Sequence, residues 1–176
     1  PKVGRPSEQE RIERNKLLLE APLNQLVEQG AISIMDVRKL KNARTDLAQE
    51  GEASQTDGVR GVWYVGPPGT GKSHTARTTY PDAYIKAQNK WFDGYTGQSE
   101  IILDDLDTNV LGHYLKIWAD KWPCSGEIKG GTVNLNHVKF IVTSNYTIEH
   151  LWSEDYEMQR AIKRRFEVIK MLVKHN

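Results

Sequence analysis

Internal disulfides are excluded at the outset: among 176 residues Cys124 is the single cysteine. That usage fits a reducing compartment, and Cys124 reads as a packing residue rather than a nucleophile. There is neither a Cys-x-x-Cys pair nor a His/Cys cluster to hold zinc. No run approaches the ~20 apolar residues that crossing a bilayer takes, and the start lacks a signal-peptide pattern, so no membrane partner is expected. Net charge is almost missing too, with 24 Lys and Arg against 23 Asp and Glu. No overall basic field marks the chain for nucleic acid, so any such contact must come from the placement of individual lysines and arginines. The opening Pro1-Lys2-Val3-Gly4-Arg5-Pro6 lacks an initiator Met and has linker chemistry, as expected of a fragment of a longer protein.

What is present begins with a hydrophobic content of 38%, enough at this length for one ordinary domain or one with a small appendage. The run Gly66-Pro67-Pro68-Gly69-Thr70-Gly71-Lys72-Ser73, followed by His74, fits the P-loop pattern G-x-x-x-x-G-K-[ST]. Its glycines permit a tight turn, and the free amides at the following helix start face an anion. Lys72 would touch the β- and γ-phosphates of ATP, and Ser73 would touch Mg²⁺. The setting agrees: Val59 to Val65 has strand character, and Ser73 to Thr79 can form a short helix that Pro81 ends.

Ahead of the P-loop, Ser7 and Glu10 form a capping box for a helix from about Glu8 to Glu20, which Pro22 interrupts. A second helical piece covers Leu23 to Gln29. Ser33 with Asp36 opens a third that carries Ile34, Val37, Leu40 and Leu47 toward Gln49. Glu50 to Gly58 is polar and small, placing a domain boundary near Asp57, with a helical unit over 1–56 and a P-loop domain over 57–176. A bundle this small has a marginal core, completed either by copies of itself or by its own P-loop domain.

Beyond the P-loop helix, Ala83 to Ala87, Glu100 to Asp105, Lys139 to Ser144 and Phe166 to Val173 read as strands. Helices are expected over Val110 to Lys121, capped by Thr108 or Asn109, and over much of Ile148 to Ile162. Glu127 to Val133 looks like a hairpin turning at Gly130-Gly131. Alternating strands and helices imply an α/β fold with a mainly parallel sheet covered on both faces.

Asp104 and Asp105 follow the apolar Ile101-Ile102-Leu103, as a Walker B strand delivers carboxylates beside the phosphates. Asp104 would act on Mg²⁺ through Ser73 or a water; Asp105 would orient or deprotonate the attacking water. Asn145 ends the next core strand, where its amide could donate to the γ-phosphate and hold that water.

The ordered motifs GPPGTGKS, WFDGYTG, IILDD, KWPCSGEIKGGTV, IVTSN and KRRF closely resemble the helicase domain of Rep, the replication initiator of circoviruses and related circular single-stranded DNA viruses. The pattern is that of a superfamily 3 helicase and covers about Val59 to Phe166. The resemblance implies an AAA-like P-loop NTPase preceded by an all-α oligomerisation domain. It further implies a homo-oligomer, a hexameric ring that hydrolyses ATP between subunits and moves on single-stranded DNA in rolling-circle replication, in the host nucleus. The family's N-terminal HUH endonuclease is missing from this sequence, with no HUH histidine pair and no tyrosine followed three residues on by lysine. By position, Lys72 and Ser73 match Walker A, Asp104 and Asp105 Walker B, and Asn145 the sensor. Lys129 with Gly130 at the hairpin becomes the first choice for gripping DNA phosphate, and Lys121 and His137 are weaker candidates. Either Arg164 or Arg165 could reach a neighbour's γ-phosphate as an arginine finger. Trp91, Phe92 and Tyr95 are open to base stacking or to burial.

Three other readings stay open from the residues: a P-loop small-molecule kinase, an RNA-directed viral helicase, and a ring for which the nucleotide serves only as glue.

Overall fold

A computed structural model describes residues 4–172. Pro1 to Val3 of the expected linker and Val173 of the expected last strand lie outside the described residues. The chain divides into two compact units at Leu47/Ala48.

In the first unit, helix α1 (Glu8–Glu20) starts on the expected capping box: the Glu10 amide donates to Ser7 Oγ at 3.2 Å and the Ser7 amide to Glu10 Oε2 at 2.7 Å. It stops at Ala21, which is extended as the residue before a proline prefers to be. Helix α2 (Leu23–Glu28) ends before Gly30, whose φ is 69°. The third helix does not open directly on Ser33. A 3₁₀ turn (Ile34–Asp36) comes first, because Ser33 Oγ accepts from the Met35 amide two residues on, and helix α3 (Val37–Gln49) follows. The Arg44 guanidinium donates to the carbonyls of Leu18 (2.7 Å) and Ala21 (2.6 Å), tying α3 to the end of α1.

The second unit holds a five-stranded sheet of β1 (Gly61–Val65), β2 (Tyr84–Lys86), β3 (Glu100–Leu103), β6 (Lys139–Ser144) and β7 (Phe166–Lys170). The order is β2-β3-β6-β1-β7, and every pairing is parallel. Helices α4 (Lys72–Thr79), α5 (Gly112–Trp118), α6 (Ile148–Leu151) and α7 (Tyr156–Lys163) connect the strands, and β4 (Cys124–Ile128) pairs with β5 (Gly131–Leu135) as a separate hairpin. Both sheet faces are covered, as expected of buried parallel strands. On one face Trp63, Phe140 and Leu103 pack with Leu115, Trp118 and Ile162; on the other Val62, Tyr64, Ile102 and Ile141 meet Ala76 of α4. Among the described residues no helix is long and apolar enough to cross a membrane.

Several boundaries depart from expectation. Residues 51–56 bond into the second unit, with Ser54 donating to Leu135 O (3.1 Å), Thr56 to Lys121 O (3.0 Å) and Asn134 Nδ2 to Gly51 O (2.8 Å). The division therefore falls well before the expected Asp57. Helix α5 begins after Leu111, with no side-chain cap; the Thr108 hydroxyl instead closes a turn on the Val110 amide. The hairpin turns at Lys129-Gly130, because Gly131 pairs with Ile128, and Gly130 takes the positive φ of 95° that the turn demands. The expected helix over Ile148 to Ile162 breaks at Trp152, and Asp155 restarts it by accepting from the Met158 amide at 3.0 Å.

Candidate nucleotide site

All of the sheet's parallel strands end at one edge, and β1, β3 and β6 deliver the P-loop, the acid pair and Asn145 there. A cleft of about 450 Å³ is lined by Pro68, Gly69, Gly71, Lys72, Ser73, His74, Asp104, Asp105 and Asn145. The loop needs its glycines: Gly69 and Gly71 have φ of 78° and 81°, and a Cβ on Gly66 would stand 2.2 Å from the Met171 carbonyl. Gly66 N bonds to Ser144 O at 3.3 Å, fixing the loop's start against β6.

Lys72 is buried, its ammonium donating to the carbonyls of Gly66 (2.8 Å) and Pro67 (2.9 Å). Ser73 Oγ donates to Asp104 Oδ1 at 2.7 Å, so the first residue of the Walker B pair meets the last residue of Walker A directly. Burial pushes the Asp104 carboxyl upward, but hydrogen bonds from Thr143, Ser73 and Arg77 outweigh it and hold it below its usual range. Two of those partners were not foreseen. Thr143 is fully buried; its hydroxyl donates to Asp104 Oδ1 (2.6 Å) and accepts from the Asp105 amide (2.8 Å), bracing both acids at once. Arg77 lies one helical turn after Ser73 and reaches Asp104 Oδ2 at 3.2 Å; its i,i+4 spacing from Ser73 was the available signal.

Asp105 has φ 54°, the one positive φ outside glycine among the described residues. Gln88, also not foreseen, clamps that turn: its amide donates to Asp105 O at 2.9 Å and its oxygen accepts from the Asp107 amide at 3.3 Å. The strained backbone turns an exposed carboxylate into the cleft beside the exposed Asn145. The oxygen donors of Ser73 and Asp104 suit a hard cation such as Mg²⁺, and the loop amides with Lys72 suit phosphate.

The remaining candidates stand apart from this cleft. Gly61 N bonds to Arg165 O, so Arg164 and Arg165 lie at the opposite end of β1, about 16 Å away by strand rise. The two arginines differ. Arg165 donates to Asp120 (2.9 Å) and to Ala161 O (2.6 Å), whereas the exposed Arg164 has a guanidinium that bonds to no side chain or carbonyl among the described residues. Lys129 and Gly130 form the exposed hairpin tip, and Lys121 stands at its foot.

His137 is corrected as a DNA contact: it is fully buried, with Nε2 2.6 Å from Trp118 O and the buried Arg60 packed against it. Burial, with Arg60 beside it, pulls its pKa down to about 4 against the opposing pull of the Trp118 carbonyl. Phe92 and Tyr95 are likewise core residues, 0% and 3% exposed, which removes base stacking for both. Beneath them is the unforeseen Lys86. It is 2% exposed, donates to the carbonyls of Asn89 (2.6 Å) and Trp91 (2.7 Å), and lies over the Phe92 and Trp118 rings. Burial lowers its pKa to about 8.

A family model described as RNA helicase matches residues 62–128, from β1 through β4. The replication-associated protein of porcine circovirus 1 is 36% identical over 121 residues, covering 66% of this chain and 39% of that protein. Over that span this chain is similar to the circovirus replication-associated proteins. The replication-associated protein of porcine circovirus 2 is 34% identical over 118 residues, covering 63% and 37%. That of human associated cyclovirus 1 is 34% identical over 119 residues, covering 63% and 42%. The matches thus span about two fifths of these replication-associated proteins. Among solved structures, NtrX from Brucella abortus in complex with ADP overlays at a TM-score of 0.45 and 12% identity, covering 94% of this chain and 40% of that one. The parallel sheet order and the P-loop at the β1 terminus make the fold that of an α/β P-loop NTPase.

Proposed function

We propose that this chain is the ATP-driven helicase motor of a viral replication initiator, a hexameric ring that moves on single-stranded DNA during rolling-circle replication in the host nucleus. The observation that carries the reading is the 2.7 Å bond from Ser73 to Asp104, which joins two motifs 31 residues apart at the mouth of one cleft that also holds Lys72. ATP with magnesium supplies the phosphoanhydride bond whose cleavage drives the motion. Lys72 exchanges its loop carbonyls for phosphate oxygens, Ser73 and Asp104 supply oxygen ligands to the cation, and Asp105 with Asn145 orients the attacking water. Arg164, the uncommitted arginine at the far end of the sheet, cannot reach its own cleft, which favours action on the next copy's phosphate. Lys129 and Gly130 at the hairpin tip, with Lys121 at its foot, meet the DNA backbone.

Phosphate release measured at rising protein concentration, with and without an oligonucleotide, tests this. Turnover should rise with assembly and with DNA; absence of hydrolysis under assembling conditions would remove the enzyme claim. Asp105→Asn should abolish hydrolysis and duplex unwinding together, whereas a ring using the nucleotide as glue would keep its function. The family description naming RNA favours one second reading, an RNA strand as the track. Competition between DNA and RNA oligonucleotides of the same sequence decides between the tracks.

A further inference from the structure

A second feature lies away from the cleft, at the foot of the β4–β5 hairpin. Trp122 is 56% exposed, rare for so large an aromatic, while its backbone is rigidly held. The buried Arg60 guanidinium donates to the carbonyls of Lys121 (3.2 Å) and Trp122 (3.1 Å), and Lys121 O also accepts from the Thr56 amide. A ring presented from a clamped backbone is pre-organised for a flat partner.

The ring borders a hollow of about 320 Å³ shared with Pro123, Ile117 and Lys116. Its Asp120 is already neutralised by Arg165 at 2.9 Å, and Lys116 has no ion-pair partner among the described residues. Lys121 places its ammonium 4.9 Å from the Trp122 ring centroid. An apolar wall with an exposed indole, flanked by two lysines, matches a nucleotide of a single strand: the base packs on the ring and the phosphates meet the ammonium groups. The hairpin tip is one five-residue strand away, about 16 Å by strand rise.

Resting on the proposed DNA-tracking role, we infer that Trp122 and Lys116 form a base-stacking subsite at the hairpin foot, so that one strand is held at both tip and foot. This subsite is independent of sequence, because every base offers a π face.

The experiment measures binding of a labelled oligo-dT, and of an abasic strand of equal length, at several salt concentrations. Full chains carrying Trp122→Ala, Trp122→Phe, Lys116→Ala or Lys129→Ala are compared with the parent, with self-association followed in parallel. Trp122→Ala should weaken oligo-dT binding at least about fivefold and leave abasic binding unchanged, and Trp122→Phe should restore most of the loss. Lys116→Ala should reduce the salt slope by about one. Weakening by Lys129→Ala alone would overturn the subsite and leave the motor reading intact. A parent chain that binds neither strand would overturn both. Loss of self-association in Trp122→Ala, with oligo-dT affinity kept, would also overturn it by making the hollow an interface between copies.

Discussion

Lys72 is the one ammonium that the P-loop turns into the cleft, held there by two loop carbonyls. Lys72→Ala should abolish phosphate release while the fold survives, because the carbonyls it leaves border an open cleft where water can satisfy them. Turnover at the parent rate, measured with circular dichroism as the folding control, would refute the site. Thr143 makes a different prediction. A carboxylate whose folded pKa is depressed adds stability above its unfolded value, ~3.9, and that stability is lost as pH falls through the folded value. Thr143→Val removes one of the bonds that depress Asp104, so its acid-unfolding limb should move to higher pH, with a loss of about 1–3 kcal/mol at neutral pH. Urea midpoints across an acid pH series measure both. Lys72, Ser73, Asp104 and Asp105 could be read from the sequence because their chemistry is tied to fixed local spacing. Thr143, Gln88 and Lys86 could not, since what distinguishes each is a partner brought close by the sheet.

At the level of elements, the hairpin is anchored by a contact no pattern announces. A Cβ on Gly126 would lie 2.4 Å from Phe92 Cδ2 and 2.7 Å from its Cγ, and Phe92 is one of the two rings over Lys86. Gly126→Ala should therefore cost about 1–3 kcal/mol, read as a lower urea midpoint, because Phe92 has no free volume to retreat into. His137 joins three segments: its own loop, the end of α5 through Trp118 O, and the approach to β1 through Arg60. Its neutral ring bonds to Trp118 O through Nε2, and the Arg60 guanidinium lies 3.4–3.5 Å from both ring nitrogens. Because its folded pKa is lowered, its stabilisation is full above ~6.5 and declines as pH falls toward about 4, by up to about 3 kcal/mol. His137→Gln, which keeps a donor for Trp118 O, should flatten the stability profile across that window. The element pattern was largely legible, since β1, β3 and β6 each carry an apolar run that leads into candidate site residues. Exact ends were less so: side chains such as Ser33 and Asp155 captured nearby amides, and the Gly131–Ile128 pairing fixed where the hairpin turns.

At the scale of the whole molecule, the two units differ sharply in how much apolar surface each buries. The second unit has apolar cores on both sheet faces, yet in the first Leu26 is the one buried residue among those described. Ile34, Met35, Ile12 and Leu47 are 72%, 82%, 55% and 56% exposed, more apolar surface than a small soluble bundle usually leaves open. Burying a side chain of this kind is worth about 1.5–3 kcal/mol, so a handful repeated at each contact could hold copies together. Replacing Ile34 and Met35 together by glutamate, in the full chain, places charge on that surface while leaving every described hydrogen bond of α1 and α3 in place. The variant should keep its helical content and sediment as a monomer where the parent sediments as a larger species. Its phosphate release should fall as well if, as proposed, Arg164 of a neighbouring copy completes each cleft. If the doubly substituted chain assembles as the parent does, the helical unit is not the seat of assembly. If it stays monomeric but hydrolyses ATP at the parent's rate, the nucleotide site is complete within one copy and Arg164 has no role across the boundary.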